Sequence, residues 1–262
     1  MCRNRSRSHP TNLMNTLQSA LSNNIRLRDL LLNALTFSSG AIDAISFLAL
    51  GKVFTAFMTG NIAFLGLRIA GAGGPGCVAI LVSMAAFSVG VYLGTRIVKR
   101  NGHEGAAIWP PRVTTALGLS LPAHAGFLIL WFAYRGQPSN DVAHILLGFW
   151  AIAMGIQSAA VRSLHVDGVF TTAATATFIF VMGDFVNWCE SAEERMRLWG
   201  VLISLFVGAL AGGLLLVHAQ IFAPVLSFIV TIFVVITADI AFRDRAATES
   251  ATANRARRIE FA

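Results

Sequence analysis

Charge is what this sequence has least of. Only 13% of its 262 residues are Asp, Glu, Lys or Arg, against 55% hydrophobic, and the mean hydropathy is +0.66. So little polar surface cannot cover a soluble globule of this size, and the chain reads as a polytopic membrane protein. Cysteine is scarce too: Cys2, Cys77 and Cys189 stand far apart, which excludes a disulfide framework and a thiolate metal site. Acids are fewer than bases, 13 against 20, for a net charge of +7. In a soluble chain that balance would point to nucleic acid. Here the arginines gather in the tails and in the loops between apolar runs, where orientation in a bilayer explains them, so the expected partner is lipid and not DNA or RNA. Also missing are Gly-x-Ser-x-Gly, His-Glu-x-x-His, a phosphate loop and a pair of acids at useful spacing. No enzyme, cofactor or metal is expected.

What is present is a polar, glycine-containing stretch that comes twice. Phe54-Thr55-Ala56-Phe57-Met58-Thr59-Gly60-Asn61 is echoed by Phe170-Thr171-Thr172-Ala173-Ala174-Thr175-Ala176-Thr177, each led by a Gly and a Val (Gly51 and Val53, Gly168 and Val169). The chain therefore reads as a duplication. Val-Phe-Thr disfavours helix, so each copy should begin extended and then stay apolar for only 14 or 15 residues, up to Arg68 or Asp184. That is roughly 22 Å of helix, short of the roughly 30 Å hydrocarbon core. Paired short, interrupted segments in corresponding halves mark the central site of many transporters.

Residues 1–29 form a basic tail with Arg3, Arg5, Arg7, Arg26 and Arg28. Lacking an early apolar run, this reads as a cytoplasmic tail and not a cleaved secretory signal, with an organellar transit peptide as the alternative. Two membrane repeats are expected, at 30–134 and 141–242, followed by a polar, Arg-rich and disordered tail at 243–262. Full spans are expected at about 30–50, interrupted by Ser38-Ser39-Gly40 and Asp43, and at 78–98, 113–134, 142–161, 198–217 and 222–242. His218, Gln220 and Pro224 separate the last two. Gly90-x-x-x-Gly94 and Gly208-x-x-x-Gly212 occupy corresponding spans and predict close helix packing between the repeats. Trp109, Trp131, Trp188 and Trp199 fall near span ends, as an interfacial belt would place them.

The pattern Gly40-Ala-Ile-Asp43-Ala-Ile-Ser46-Phe-Leu, then Gly51-Lys-Val-Phe54, then Met58-Thr59-Gly60-Asn61-Ile-Ala-Phe-Leu-Gly66 resembles the YoaK family of bacterial inner-membrane proteins, a domain of unknown function. The similarity continues through Met154-Gly155-Ile-Gln157-Ser-Ala-Ala-Val-Arg162 and Phe170-Thr171-Thr172, and so covers roughly residues 30–242. At one place the chain departs from the pattern: Ala176 stands where the family's second copy is expected to carry glycine. The resemblance implies a bacterial multi-span membrane protein and brings no substrate or reaction.

Charge decides between topologies. If the two short segments re-enter without crossing and the N-terminus is cytoplasmic, 17 of the 20 Lys and Arg lie on the cytoplasmic side, and only Lys52, Arg68 and Arg135 fall outside. If both cross, giving eight spans, the split falls to 14 against 6. The positive-inside rule favours six full spans with both termini cytoplasmic. Three spans per half is an odd number, so the halves form an inverted repeat.

The polar residues left inside the apolar parts are the candidate site. Asp43 costs about 2.5 to 3.5 kcal/mol near mid-span, so it either couples transport to a proton or cation or is held by hydrogen bonds at the Ser38-Ser39-Gly40 break. Gln157 suits solute binding or interhelical packing, and His124, beside Pro122, suits a relay or packing. The helix starts at Thr59-Gly60-Asn61 and Thr175-Ala176-Thr177 are expected to face each other near the midplane. Their free N–H groups would suit an anion or carboxylate-bearing solute, with Thr59, Asn61 and Thr175 completing the shell and Gly60 admitting the solute to the backbone; N-capping is the alternative for the Thr and Asn side chains. The expected function is a secondary transporter or permease of a small solute; the alternative is a non-transporting scaffold or accessory subunit.

Overall fold

A computed structural model describes the backbone of residues 10–99, 107–166, 174–184 and 192–260, and every element in those stretches is helical. The helices are α1 (Pro10–Ala49), α2 (Met58–Ile69), α3 (Cys77–Lys99), α4 (Pro111–Ala133), α5 (Asn140–Arg162), α6 (Ala174–Asp184), α7 (Ala192–His218) and α8 (Ala223–Glu260), with a single 3₁₀ turn at Gln220–Phe222. Six of them are long and apolar enough to cross a bilayer: Leu21–Ala49, Cys77–Lys99, Pro111–Ala133, Asn140–Arg162, Arg195–His218 and Gln220–Phe242. At 12 and 11 residues, α2 and α6 reach only about 16 to 18 Å at 1.5 Å per residue and cannot cross. The count of six full spans and two short segments stands.

Three expectations about local structure need correction. Ser38-Ser39-Gly40 and Asp43 do not interrupt α1, which runs through them unbroken. The residues 243–262 expected to be disordered instead carry α8 on to Glu260, and α1 likewise begins at Pro10, inside the basic tail. Both extensions lack an internal Gly or Pro and are rich in good helix formers, so nothing in them stops a helix already under way. Trp109 and Trp131 are buried in the protein and not held at the lipid interface; Trp199 is exposed, and Trp188 lies outside the described residues. The break between α7 and α8 falls where His218, Gln220 and Pro224 predict it. The amide of Gln220 donates to the Gly136 carbonyl at 2.8 Å, and its own carbonyl accepts from the Trp131 indole at 3.2 Å, tying that turn to the α4–α5 connection.

Glycine sets how the long helices meet. On α7, a Cβ at Gly208 would overlap the Phe37 carbonyl and one at Gly212 the Ala41 carbonyl, while a Cβ at Gly40 would overlap the Leu205 carbonyl of α7. Residue numbers rise together along this contact, so α1 and α7 cross as parallel helices. On the other side of the bundle, Gly90 and Gly94 of α3 meet Ile152 and Ile156 of α5, and Gly155 of α5 meets Phe87 and Val91 of α3. Those two are parallel as well. Helix α8 lies against α1 and α4, α4 against α5, α2 on α3 and α6 on α7.

The interior divides into two cores, one toward each end of the bundle. The first joins Leu31, Leu32 and Leu35 of α1 to Val113 and Leu117 of α4, Val161 of α5, Leu198 of α7 and Phe242 of α8. The second joins Ile42, Ile45 and Leu50 of α1 to Ile80 of α3, Phe127 and Trp131 of α4, Trp150 of α5 and Ala223 of α8. Phe127 and Trp150 stack within it at a centroid separation of 3.6 Å.

The glycine contacts give the first testable prediction. Gly208→Ala places a methyl on the Phe37 backbone, whose Cα is 2.9 Å from the added atom, whereas the Cβ of Gly213→Ala, farther along on another face of α7, meets nothing within 4 Å. Gly208→Ala should cost about 1 to 3 kcal/mol as overpacking. Gly213→Ala should be neutral or stabilising by up to about 1 kcal/mol through helix propensity. Thermal midpoints of the two variants in detergent micelles check the order.

Candidate functional site

The segment between α1 and α2 dips back into the protein. After Gly51 (φ 98°) and Lys52 (φ 60°), whose left-handed backbone turns the chain, residues 53–57 run irregularly down beside α1. Backbone of this kind needs partners wherever lipid replaces water. Asp43, on α1 six residues before its end, supplies most of them. Its Oδ1 accepts from Thr55 N at 2.8 Å, Thr55 Oγ1 at 3.1 Å and Ala56 N at 2.9 Å, and its Oδ2 accepts from Phe57 N at 3.1 Å. All four bonds run toward the carboxylate, which is how an ionised, acceptor-only group bonds.

Asn61, in the first turn of α2, completes the loop. Its side chain pairs with the Phe54 backbone in both directions, accepting from Phe54 N at 3.0 Å and donating to Phe54 O at 2.7 Å. Ser83 of α3 donates to the same carbonyl at 2.6 Å and accepts from Asn61 Nδ2 at 3.3 Å. Asn61 and Ser83 are fully buried. The start of α2 is thereby pinned to both neighbours, six residues in from the end of α1 and six from the start of α3, or about 9 Å along each helix.

Beside this loop lies a cavity of about 480 Å³. Its walls are one face of α1, at Ser39, Asp43 and Phe47, and one face of α7, at Leu205, Ala209 and Gly213, both stepping by four residues. Phe54 and Phe57 close it from the α2 side and Thr175 from α6. Phe47 and Phe54 stack at 5.0 Å, and Phe57 meets Phe54 edge-on at 5.3 Å. The hydroxyl of Ser39 is buried with no hydrogen-bond partner.

Of the residues singled out in the sequence, Asp43 and Thr175 come together here. Thr59, Gly60, Asn61 and Gln157 do not line the cavity. Thr59 is exposed, and α2 starts after Phe57 with no side-chain cap. The space in front of Gly60 is filled by the chain itself, because a Cβ there would lie 2.7 Å from the Phe57 ring. Asn61 gives its amide to the Phe54 backbone. Gln157 donates to the Leu35 carbonyl at 3.2 Å, eight residues or about 12 Å down α1 from Asp43, and its Oε1 has no partner. Just ahead of α2 the N–H groups of Thr55, Ala56 and Phe57 hold the protein's own carboxylate, and the helix start at Thr59, Gly60 and Asn61, where a cradle for an anion was expected, lies outside the cavity. The second-copy residues 170–173 lie outside the described residues, so no counterpart of that cradle is placed. His124 is buried beside Phe228, with neither ring nitrogen bonded, and takes no part in the cavity.

Sequence reading missed Ser39, Phe47 and the α7 wall. The signal was there in the Ser-x-x-x-Asp-x-x-x-Phe spacing from Ser39 to Phe47, a single stripe along α1 that carries a charge amid apolar neighbours.

Against known proteins, residues 31–238 match the family model described as "Protein of unknown function (DUF1275)". The UPF0700 transmembrane protein YoaK of Bacillus subtilis (strain 168) is 36% identical over 157 residues, which span 60% of this chain and 67% of that protein. No solved structure matches the chain. With the family model spanning the bundle from α1 to α8 and six membrane-crossing helices in place, the chain belongs to the YoaK family of multi-pass membrane proteins.

Proposed function

We propose that this protein is a secondary transporter or permease for a small solute, built as an inverted repeat in a bacterial inner membrane with both termini cytoplasmic. On this reading it is not an enzyme. The observation that carries the proposal is the cavity itself, which draws its lining from α1 and the α1–α2 loop in the first half and from α6 and α7 in the second, beside a carboxylate inside a membrane span.

The packing supports the repeat. Contacts in one half have counterparts in the other: α1 on α7 with α5 on α3, α1 on α8 with α5 on α4, α2 on α3 with α6 on α7, and α3 on α4 with α7 on α8. The glycines correspond as well, Gly40, Gly208 and Gly212 matching Gly155, Gly90 and Gly94. A repeat joined through parallel crossings of this kind can rock one part against another around a fixed site. The orientation is supported by where basic residues fall. Arg96 and Lys99 end α3, Arg162 ends α5, Arg112 begins α4 and Arg195 and Arg197 begin α7, all at helix ends that meet around the first core. The scaffold reading draws on a different observation, that Asp43 and Asn61 spend their hydrogen bonds on the loop.

Two predictions separate these readings. In a background lacking the native cysteines, Ala72→Cys and Gln137→Cys should react with an impermeant maleimide added outside the cell, and Gly102→Cys should not. Reaction at Gly102→Cys would overturn the inverted repeat. Asp43→Asn should leave the protein folded and inserted yet abolish pH-dependent flux of whichever solute a metabolite-uptake screen of a deletion strain identifies. Loss of insertion or expression instead assigns Asp43 to holding the loop alone.

A further inference from the structure

Asp43 is the one charged side chain among the described residues that line the cavity, and none of those residues is Lys, Arg or His. The donors that hold the carboxylate are spread unevenly: Oδ1 accepts three hydrogen bonds and Oδ2 one, from Phe57 N. A carboxylate offers about four lone-pair sites over its two oxygens, so Oδ1 is saturated and Oδ2 still has room for a donor. Ser39, one turn before Asp43 on the same face, carries a buried hydroxyl with no partner inside the protein. Apart from Thr175 of α6, the remaining walls are aromatic and aliphatic, with Phe47, Phe54 and Phe57 on one side and the α7 stripe on the other.

We propose that this cavity takes a small organic cation, a protonated amine with an apolar body. The ammonium donates to Asp43 Oδ2 and to Ser39 Oγ, and the body lies against the Phe47, Phe54 and Phe57 rings, whose faces also attract a cation. The inference rests on the transport reading for its physiological sense, and it names the substrate class of that site. An anion is refused here, since it would lie against a carboxylate with no cation to pair it. A polyol fits poorly too, because beyond Asp43, Ser39 and Thr175 its hydroxyls would meet phenyl rings and aliphatic side chains and stay unbonded.

Three probes of one shape decide the class: benzylamine, benzyl alcohol and benzoate, titrated calorimetrically into the full chain in detergent micelles. Benzylamine should bind saturably and at least about tenfold more tightly than benzyl alcohol, as a hydrogen bond to a charged group warrants, with no binding of benzoate. Gly213→Leu fills the α7 wall from a position where an added Cβ meets nothing within 4 Å, so the helix packing tolerates it and benzylamine binding should be lost. Ser39→Ala, which removes a hydroxyl bonded to nothing, should leave the thermal midpoint unchanged and weaken benzylamine several-fold. Equal affinity for the amine and the alcohol, tighter binding of benzoate, no binding of benzylamine, or binding unaffected by Gly213→Leu would each overturn the proposal. The transport reading fails separately. Specific benzylamine binding, with no solute moved in proteoliposomes, keeps the amine class and sinks transport, while solute flux untouched by Gly213→Leu keeps transport and sinks this site.

Discussion

Backbone that lies within membrane depth but outside a helix must find partners in the protein, and in this molecule one carboxylate provides most of them. Three consecutive N–H groups and a hydroxyl, from Thr55, Ala56 and Phe57, converge on Asp43. Without them the segment between α1 and α2 would carry several bare donors, each costing a few kcal/mol in an apolar medium. Asn61 and Ser83 do the same for the Phe54 peptide. The interaction runs both ways. Four accepted hydrogen bonds and the nearby positive end of α2 make the carboxylate tolerable inside a span, so loop and charge depend on each other.

The second constraint is close approach. Parallel helices touch backbone to backbone at Gly40, Gly208 and Gly212, where any side chain would strike a carbonyl. That contact occupies one face of α1. The adjoining stripe of Ser39, Asp43 and Phe47 faces the Leu205, Ala209 and Gly213 stripe of α7 across open space. Contact and cavity are thus products of one crossing: the glycines bring the axes together, and small residues at Ala209 and Gly213 leave a gap beside the seam. Larger residues there would close it.

The membrane class, the six spans, the two short segments and the glycine seams were all legible in the sequence, because each rests on composition or on helical spacing. Less legible were the ends of helices and the use of polar side chains. Ser38-Ser39-Gly40 resembles a helix break, yet neighbouring helices compensate: Gly40 receives α7, and Ser38 donates to the Ser227 carbonyl at 3.4 Å. Thr59, Gly60 and Asn61 looked like a solute shell because their types match one. Whether an amide binds solute or its own backbone is set by the turn from Phe54 to Asn61, whose path no periodicity encodes. Asp43 was found from charge alone; its partners, spread over Thr55 to Phe57, were not.

If the halves are a repeat, as proposed, they share packing and differ in chemistry. Aligning Gly40 with Gly155 puts Ser158 at the place of Asp43 and Gln157 at the place of Ile42. The Ser158 hydroxyl donates to the Met154 carbonyl of its own helix at 2.7 Å, so the position of the carboxylate that anchors the first loop is uncharged in the second half. Aligning the motifs at Phe54 and Phe170 puts Ala176 opposite Gly60. A duplicated bundle needs matching glycines in both halves, because each seam fails without them. It needs only one buried carboxylate, since a second would add another charge to be desolvated and partnered. On that alignment the two halves share the glycines that their seams require and differ at the position of Asp43, the carboxylate that lines the cavity beside α1.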